Sequence, residues 1–258
     1  MTSNKNRNWR NPFGSSSPHK RKKLGGTIFS ALMALVLVGF LSVAAFFAVA
    51  KFTTAKILTK DMAPMASSQF FDAKGNLITT VDSEEDRIPV TIDKVPKNLQ
   101  NAFLAAEDIR FYEHGGIDFR GIGRAIYTYI RWGEVQGGST ITQQLIKNNV
   151  FPDFVNENTF EEKLERKIQE QYLAIQVEKQ LDKDSILESY LNTINLGQDC
   201  LGVQSAAQRY FNKDVNELNL SESATIAAIT QNPGRYNPIT NPEDNATRRK
   251  NVLDNMLD

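Results

Sequence analysis

The stretch EDIRFYEHGGID, residues Glu107–Asp118, marks the point at which a predicted helix gives way to a glycine turn. Side chains four positions apart share one face of a helix. In this part of the chain, one largely apolar face therefore carries Leu99, Phe103, Glu107 and Phe111. A carboxylate on such a face has two explanations. Either its stem packs while its head stays in water, or partial desolvation beside phenylalanine makes Glu107 an effective general base. His114, within the turn, is by itself better explained as a structural residue.

Helical patterns continue from Pro96 almost to the last residue. The predicted helices span residues 96–109, 119–130, 141–149, 161–180, 183–193, 203–211, 221–229 and 245–256. Several starts carry residues typical of a first helical turn: Pro96, Thr140 with Gln143 in a capping box, and Asn219 ahead of Glu222. These patterns predict a mainly α fold.

A second stretch, GGSTITQQLIKN at residues 137–148, leads from two glycines into one of these helices. Gln144 and Lys147 are three positions apart and therefore share a face. A helix N-terminus beside hydroxyls, amides and an ammonium group suits an anion or a sugar phosphate. Simple helix capping explains the same residues.

A third stretch, ERKIQE at residues 165–170, places Glu170 four positions after Arg166 and three after Lys167, on one side of a helix. Solvated salt bridges along the helix explain this spacing as well as chemistry does. Spacing alone does not choose between them.

The N-terminal part has the pattern of a membrane anchor. Residues 1–23 carry seven basic and no acidic side chains, and the 27 residues 24–50 are uncharged and largely apolar. This length suits one transmembrane helix, and the positive-inside rule keeps residues 1–23 in the cytoplasm and the chain from residue 51 outside. A cleaved signal peptide, cut after 42–44 or 48–50, is the alternative. Residues 51–95 are predicted to form a linker with short strands near 76–81 and 87–92.

Charge and cysteine content exclude two classes of protein. The 258 residues include 30 basic and 30 acidic side chains, but residues 51–258 keep 23 basic against 30 acidic. A domain with a net negative charge is not expected to bind nucleic acid. Cys200 is the single cysteine, so a fold stapled by disulfides is excluded.

Taken together, these stretches resemble glycosyltransferase family 51, the peptidoglycan polymerase domain of class A penicillin-binding proteins and of monofunctional transglycosylases. Residues 107–118 are similar to the motif E-D-x-x-F-x-x-H-x-G-x-D, residues 138–144 to G-S-T-[IL]-T-Q-Q, and residues 166–170 to R-K-x-x-E. Residues 186–211 and 231–249 resemble the fourth and fifth motifs. Departures from the family pattern occur away from the carboxylates, at Asn195, Cys200 and Asn212.

The resemblance implies a fold and a reaction for residues 96–258, the expected catalytic domain. The fold would be mainly α: a lysozyme-like, two-lobed glycosyltransferase domain with a short β-containing lead-in, preceded by one transmembrane helix, its smaller lobe lying against the membrane. The reaction would polymerise lipid II into β-1,4 glycan and release undecaprenyl pyrophosphate, outside a bacterial cell membrane that the chain crosses once.

The resemblance also implies roles for single residues. Glu107 matches the general base, and Glu170 matches a second carboxylate at the pyrophosphate, where a divalent cation, Mg²⁺ or Mn²⁺, could assist. Matches to substrate-binding positions are Asp108, Phe111, His114, Ser139, Thr140, Gln143, Gln144, Lys147, Arg166 and Lys167. The expected partners are lipid II, the growing glycan strand, the membrane and other cell-wall synthesis proteins, with no nucleic acid.

Two other functions share some of these features. A lysozyme-like lytic enzyme would share the fold and one glutamate, but cleavage by water does not require the stretches 138–144 and 166–170. An inactive membrane scaffold for wall assembly would not need both Glu107 and Glu170. The products formed from lipid II and from preformed wall distinguish the three.

Overall fold

A computed structural model shows how most of the chain after residue 87 is folded. It describes residues 88–133 and 137–257 throughout, the backbone of short strands between residues 69 and 87, and helical positions 30, 31, 33, 34, 37–39, 41, 42, 44–48 and 51. The predicted tail of residues 1–23, and residues 52–68 of the predicted linker, lie outside the described residues. The chain divides into two compact units between residues 49 and 50, and every element named below belongs to the second.

The predicted transmembrane helix falls on residues 24–50, which the structure describes only in part. The described positions in that range are helical. Within the described portion of the chain, no helix combines the length and apolar character that crossing a membrane requires. The transmembrane helix therefore stays a prediction.

Eight α-helices make up most of residues 88–133 and 137–257, which confirms the mainly α prediction. They are α1 (Lys97–Glu107), α2 (Phe119–Trp132), α3 (Ile141–Val150), α4 (Phe160–Val177), α5 (Lys183–Thr193), α6 (Val203–Phe211), α7 (Leu220–Ile229) and α8 (Pro242–Leu257). Short 3₁₀ turns lie at Ile92–Lys94, Phe111–Glu113, Pro152–Asn156 and Val215–Glu217. The helices α5 and α6 have the predicted bounds, and the other ends differ from prediction by about one turn or less.

Side chains at the helix starts explain where two of these helices begin. Asn219 accepts from the Glu222 backbone N–H at 3.0 Å, and the Glu222 carboxylate accepts from the Asn219 N–H at 2.9 Å, which closes a capping box at α7. Thr140 accepts from the Gln143 backbone N–H at 3.2 Å. The Gln143 side chain does not return that bond, because its amide donates to Gly116 instead. The box predicted at α3 is therefore only half formed.

Two groups of helices build one hydrophobic core. Helix α7 packs against α1 and α8, while α3 packs against α4 and α5. Residues 223–229 of α7 are all buried, so this helix lies inside the first group. Both groups contribute to the core, for example through Leu99, Phe103, Leu145, Leu187 and Ile226. The C-terminal end of α1 meets α3 beside this core, and the candidate site is built there.

The segment before α1, residues 88–95, is fastened to α5 and α6. Side chains of α5 and α6 bond its backbone at three positions: Ile88 N–H to Ser205 Oγ at 3.3 Å, Val90 N–H and C=O to the Asn192 amide at 2.9 and 2.8 Å, and Ile92 N–H to Glu188 Oε2 at 2.7 Å. Val95, at its end, is buried in the core. We call residues 88–95 the lead-in segment; it is packed as part of the helical body.

Short strands form two small sheets. Strands β1 (Gln69–Phe71) and β2 (Leu77–Thr80) pair antiparallel, while β3 (Asp86–Arg87) and β4 (Cys200–Leu201) pair in parallel. Strand β2 confirms the predicted strand at 76–81. The strand predicted at 87–92 is wrong beyond residue 87, because the lead-in segment bonds to side chains of α5 and α6 rather than to a neighbouring strand.

Candidate active site

Glu107 is the last residue of α1, and both of its carboxylate oxygens are hydrogen-bonded. The helix ends two residues earlier than predicted, and Phe111 follows in a 3₁₀ turn with its ring in the core. Gln144 on α3 donates its amide N–H to Oε2 at 2.8 Å, and Thr230, directly after α7, donates its hydroxyl to Oε1. The half-buried head of Glu107 is thus fixed by two donors from distant parts of the chain.

Tyr190 on α5 extends this set of bonds into the core. Its hydroxyl donates to Gln144 Oε1 at 3.2 Å, and its ring meets Phe103 edge to face, with 6.1 Å between centroids. Burial, and then the nearby charges of Glu107 and Asp108, raise the pKa of Tyr190 well above its usual 10.0, so its hydroxyl keeps its proton. Because this bond occupies the amide oxygen, Gln144 presents its NH₂ group to Glu107.

Asp108 is buried and joins the glycine turn to the start of α3. Its carboxylate accepts from His114 Nε2 at 3.0–3.1 Å and from the backbone N–H of Ile141 at 3.0 Å. An anionic side chain is favourable at a helix N-terminus, where the helix dipole is positive. His114 Nδ1 accepts from the Gly116 N–H at 3.3 Å, so its proton lies on Nε2. His114 therefore occupies a structural position, in which it donates to the Asp108 carboxylate.

Gly116 gives the turn a shape that other residues could not adopt. Its φ is +92°, and a Cβ built on it would lie 2.7 Å from the backbone carbonyl carbon and oxygen of Ala174 on α4. Its own carbonyl accepts from Thr140 Oγ1 at 2.9 Å and from Gln143 Nε2 at 3.0 Å. The turn thus fits between α4 and the start of α3, and it fixes that start.

A second group of charges, which we call the cationic cluster, surrounds a buried carboxylate: Lys147, Arg166 and Lys167 lie around Glu170. Arg166 Nη1 donates to Glu170 Oε1, and Lys167 Nζ donates to Oε2 at 2.7 Å. Arg166 also pairs with Glu157 at 2.7 Å, and Lys167 donates to Ser139 Oγ at 3.2 Å. The predicted pairs along α4 are present, but Glu170 has no exposed side-chain surface, so they are not ordinary solvated salt bridges.

Lys147 links the cationic cluster to the group around Glu107. It lies one turn after Gln144 on α3, and its Nζ is 4.7 Å from the centroid of the Phe154 ring. Burial, and then the positive charge of Lys167, lower the pKa of Lys147 from its usual 10.5, against the opposing attraction of Glu170 and Glu107. Among residues 88–133 and 137–257, no carboxylate forms a salt bridge with it. Its charge is therefore available to an anionic ligand.

The donor set around Glu170 does not fit a metal site built on that carboxylate. Each of its two oxygens already accepts from a cation, Arg166 or Lys167. In the parts of the chain that the structure describes, no group of three His, Cys, Asp or Glu side chains could hold a metal ion. The divalent cation expected at the pyrophosphate stays a prediction.

The structure thus gathers the residues predicted from sequence into two groups joined by Lys147. Glu107 and Gln144 form one, and Glu170, Arg166, Lys167 and Ser139 form the other. The remaining predicted residues have buried or largely buried side chains: Phe111 packs in the core, and Asp108, His114, Thr140 and Gln143 form hydrogen bonds inside the protein. Their predicted contacts with a substrate stay predictions.

Two residues that complete the Glu107 group escaped the sequence analysis. Thr230 lies 123 positions from Glu107, one residue before the stretch that resembles the fifth motif. Tyr190 falls within the stretch that resembles the fourth motif, but its pattern is that of any buried tyrosine. The sequence signal for Thr230 was a hydroxyl residue directly after the apolar residues 226–229 at the end of α7.

Comparisons with known proteins confirm the family resemblance. Residues 74–257 match the family model described as Transglycosylase. Relatives include penicillin-binding protein 1F of Bacillus subtilis (strain 168), 41% identical over 240 residues, and penicillin-binding protein 1A of Aquifex aeolicus (strain VF5), 46% identical over 202 residues. These matches cover 93% and 78% of this chain, while the chain spans only 32% and 27% of the length of the two relatives.

One solved structure is similar over part of its length. The 2.6 Å crystal structure of penicillin-binding protein 1A from Haemophilus influenzae matches 75% of this chain and 18% of that chain, at 28% identity. The TM-score is 0.39, which is too low to establish a common fold.

Proposed function

The chain belongs to the transglycosylase family, glycosyltransferase family 51, and we propose on that basis that it is a peptidoglycan glycosyltransferase that polymerises lipid II. The observation that carries the proposal is the contrast between two carboxylates. Among the residues that the structure describes, Glu107 accepts only from neutral donors, whereas buried Glu170 is surrounded by cations. Such a site can remove a proton at one position and neutralise negative charge at another.

In the proposed reaction, Glu107 takes the proton of the C4 hydroxyl on the GlcNAc of lipid II. The hydroxyl oxygen forms a bond to C1 of the MurNAc at the lipid-linked end of the growing strand, with inversion at C1. The bond from C1 to the pyrophosphate breaks, and its electron pair leaves with undecaprenyl pyrophosphate. Because this leaving group needs no proton, one base and a cationic site suffice, unlike the acid and base of a glycoside hydrolase.

The cationic cluster is proposed to bind the pyrophosphate. Lys147 has no salt bridge among the described residues, and the Lys167 side chain is 40% exposed, so both can reach a ligand. Glu170 and Ser139 hold Lys167 in place, and Glu170 also holds Arg166. Charges fixed before the reaction stabilise a developing anion without the cost of reorganising.

The buried predicted residues are proposed to act by shaping the site. Asp108 accepts from the backbone N–H of Ile141, the first residue of α3. The Gly116 carbonyl accepts from Thr140, directly before α3, and from Gln143 in its first turn. Since α3 carries Gln144 and Lys147, these hydrogen bonds at its start set the distance between Glu107 and the cationic cluster.

We also propose that the domain works outside a bacterial cell membrane, anchored by residues 24–50 with the N-terminus in the cytoplasm. Both substrates carry lipid anchors, so tethering the enzyme beside them raises their effective concentration. The exposed side of α2 supports contact with a bilayer surface, since amphipathic helices with aromatic and basic residues bind there: Ile126, Tyr127, Ile130 and Trp132 are more than half exposed, beside exposed Arg124 and Arg131. A lysozyme-like, two-lobed fold for the catalytic domain is likewise a proposal.

The site does not favour the lytic alternative. Glycoside hydrolases pair two carboxylates across the scissile bond, one of them as an acid. The carboxylate next to Glu107 in the chain is Asp108, which is buried and already bonded to His114 and Ile141. It is therefore not available as the second carboxylate of such a pair.

The proposal is tested with the purified chain in detergent, supplied with lipid II and no nucleotide sugar. We expect linear β-1,4 glycan. The Glu107→Gln variant should lose about 10²–10⁴-fold in rate because its amide cannot accept the proton. It should stay folded, since the amide is nearly isosteric: its oxygen can accept from Gln144, and its NH₂ group can donate to Thr230 Oγ1. The matched control is Glu243→Gln, an exposed position on α8, which should polymerise like the wild type.

Other products would point elsewhere. Free disaccharide released from preformed wall, with no polymer made from lipid II, would favour the lytic enzyme. A Glu107→Gln variant with more than about a tenth of wild-type turnover would remove Glu107 from the role of general base. Repeating the assay with a chelator, and then with added Mg²⁺ or Mn²⁺, tests the expected divalent cation separately.

A further inference from the structure

We infer that Thr230 is a positioning residue for the general base, an inference that rests on the proposed function of Glu107. The Thr230 hydroxyl lies within hydrogen-bonding reach of two acceptors, Glu107 Oε1 and the backbone carbonyl of Ala227, the latter at 2.9 Å. A hydroxyl has one proton to donate and can also accept. Thr230 therefore serves one of the two acceptors at a time.

The protonation state of Glu107 decides which acceptor Thr230 serves. While Glu107 is ionised, the hydroxyl donates to it, because hydrogen bonds to a charged oxygen are the stronger ones. After Glu107 has taken the proton of the acceptor sugar, its new O–H group can donate to Thr230 Oγ1. The Thr230 proton then turns to the Ala227 carbonyl. Both states are fully hydrogen-bonded, and only the orientation of one hydroxyl differs.

The position of Thr230 is set by the core and not by a free loop. It directly follows α7, whose residues 223–229 are buried, and α7 packs against α1, which carries Glu107. Gln144 fixes the other oxygen of Glu107 from α3. Donors from α3 and from the residue after α7 thus fix the plane of the carboxylate, which keeps the base aligned before and after proton transfer.

Other charged or titratable groups also face Glu107. They are Asp108 beside it, Lys147 on α3 and Tyr190 on α5. All three are the same in every variant compared below. A change in pH dependence on removing the Thr230 hydroxyl therefore reports that hydroxyl.

The test measures glycan formation from lipid II across the acid side of the pH profile. Thr230→Val removes the hydroxyl but keeps the shape of the side chain, and Thr230→Ser keeps the hydroxyl. The acid limb is the part of the pH profile in which turnover falls as the pH is lowered. In Thr230→Val we expect this limb to move to higher pH by about half to one unit, because the ionised Glu107 carboxylate loses a donor. Its plateau turnover should fall up to about 10-fold. Thr230→Ser should restore both.

The matched control is Thr193→Val. The Thr193 hydroxyl also lies at a helix end but donates only to backbone carbonyls, at 2.8 Å to Ser189, so this variant should keep the wild-type profile. Thr230→Ala replaces Thr230→Val if the latter does not fold. If the variant without the Thr230 hydroxyl keeps the wild-type acid limb and turnover, the inference about Thr230 is overturned and the proposed function is not. A wild-type protein that makes no glycan would overturn the proposed function, and this inference with it.

Discussion

Glu107 and Glu170 show how two carboxylates on helices acquire different chemistry from their neighbours. Glu107 is half-buried and accepts from two neutral donors, so its negative charge is not balanced by a direct ion pair. Glu170 is fully buried and accepts from two cations. The surroundings therefore suit Glu107 to take up a proton and Glu170 to position positive charge.

This contrast predicts different behaviour for the Glu170→Gln variant. Removing one partner of a buried ion pair costs about 3–5 kcal/mol, and here the low end is expected because Arg166 keeps Glu157. Polymerisation should weaken, since the cationic cluster loses its alignment. The acid limb of the pH profile should remain, because Glu107 is unchanged. The measurement is the pH dependence of turnover with saturating lipid II.

The control is Glu165→Gln, the same change at an exposed position of the same helix. It should leave both stability and turnover near wild type. If Glu170→Gln erases the acid limb while activity remains measurable, the roles of the two carboxylates have been assigned the wrong way round.

The charged residues of the site were predictable from the sequence, as were Gln144 and Ser139, whereas Thr230 and Tyr190 were not. A charge on an apolar helix face stands out from its immediate neighbours, as at Glu107, and helical spacing places Glu170 beside its two cations. Thr230 and Tyr190 acquire their places through bonds to residues 123 and 46 positions away. No pattern within a few residues can reveal such a bond.

Among the helices, α3 connects the two halves of the site. It carries Gln144 and Lys147 one turn apart, and its first residues are fixed by Asp108 and by the Gly116 carbonyl. A displacement of α3 would therefore change the base and the cationic cluster together.

The turn at Gly116 provides a test of this connection. Gly116→Ala would place a methyl group 2.7 Å from the backbone of Ala174 in a conformation that L residues rarely adopt. We expect the free energy of unfolding to fall by more than about 2 kcal/mol. Glycan formation should also fall, because the carbonyl that fixes the start of α3 must shift. Urea unfolding and the lipid II assay measure the two effects.

The neighbouring glycine supplies the control. A methyl group added at Gly115 would meet no heavy atom within 4 Å, so Gly115→Ala should change stability by less than about 0.5 kcal/mol. Equal stability for the two alanine variants would show that the fit against α4 is not required.

Helix bounds were largely predictable, because each helix carries its own periodic apolar face and often its own cap, such as Asn219 at α7. Two of the errors lie where distant residues compete for the backbone. The first helix ends early since Asp108 leaves it to bind His114 and Ile141. The strand predicted at 87–92 is lost because α5 and α6 take up its hydrogen bonds.

For the molecule as a whole, the lead-in segment ties the start of the domain to its middle. Asn192 on α5 is 4% exposed, and both ends of its amide bond to the backbone of Val90. A sequence-based boundary at residue 96 separates this segment from the helices, whereas the packing joins them. The reason is that these bonds span about one hundred positions of the chain.

Asn192→Ala should loosen this connection. Two backbone groups of Val90 lose their partner in a mostly buried place, so we expect a loss of about 1–3 kcal/mol in the free energy of unfolding. Hydrogen exchange at the Val90 amide should accelerate more than exchange in α7. Asn216→Ala, at an exposed residue, is the control and should change neither quantity. Unchanged exchange at Val90 in Asn192→Ala would contradict the role given to this side chain.

The same attachment sets an order of events during synthesis on the ribosome. Ile88 emerges 117 residues before its partner Ser205. At about 5–20 residues per second, the lead-in segment waits on the order of 10 s for its partner. Glu107 waits slightly longer for Thr230, since 123 residues separate them. A nascent chain therefore cannot complete the Glu107 group until most of the domain has been translated, and a truncated translation product would lack a positioned base.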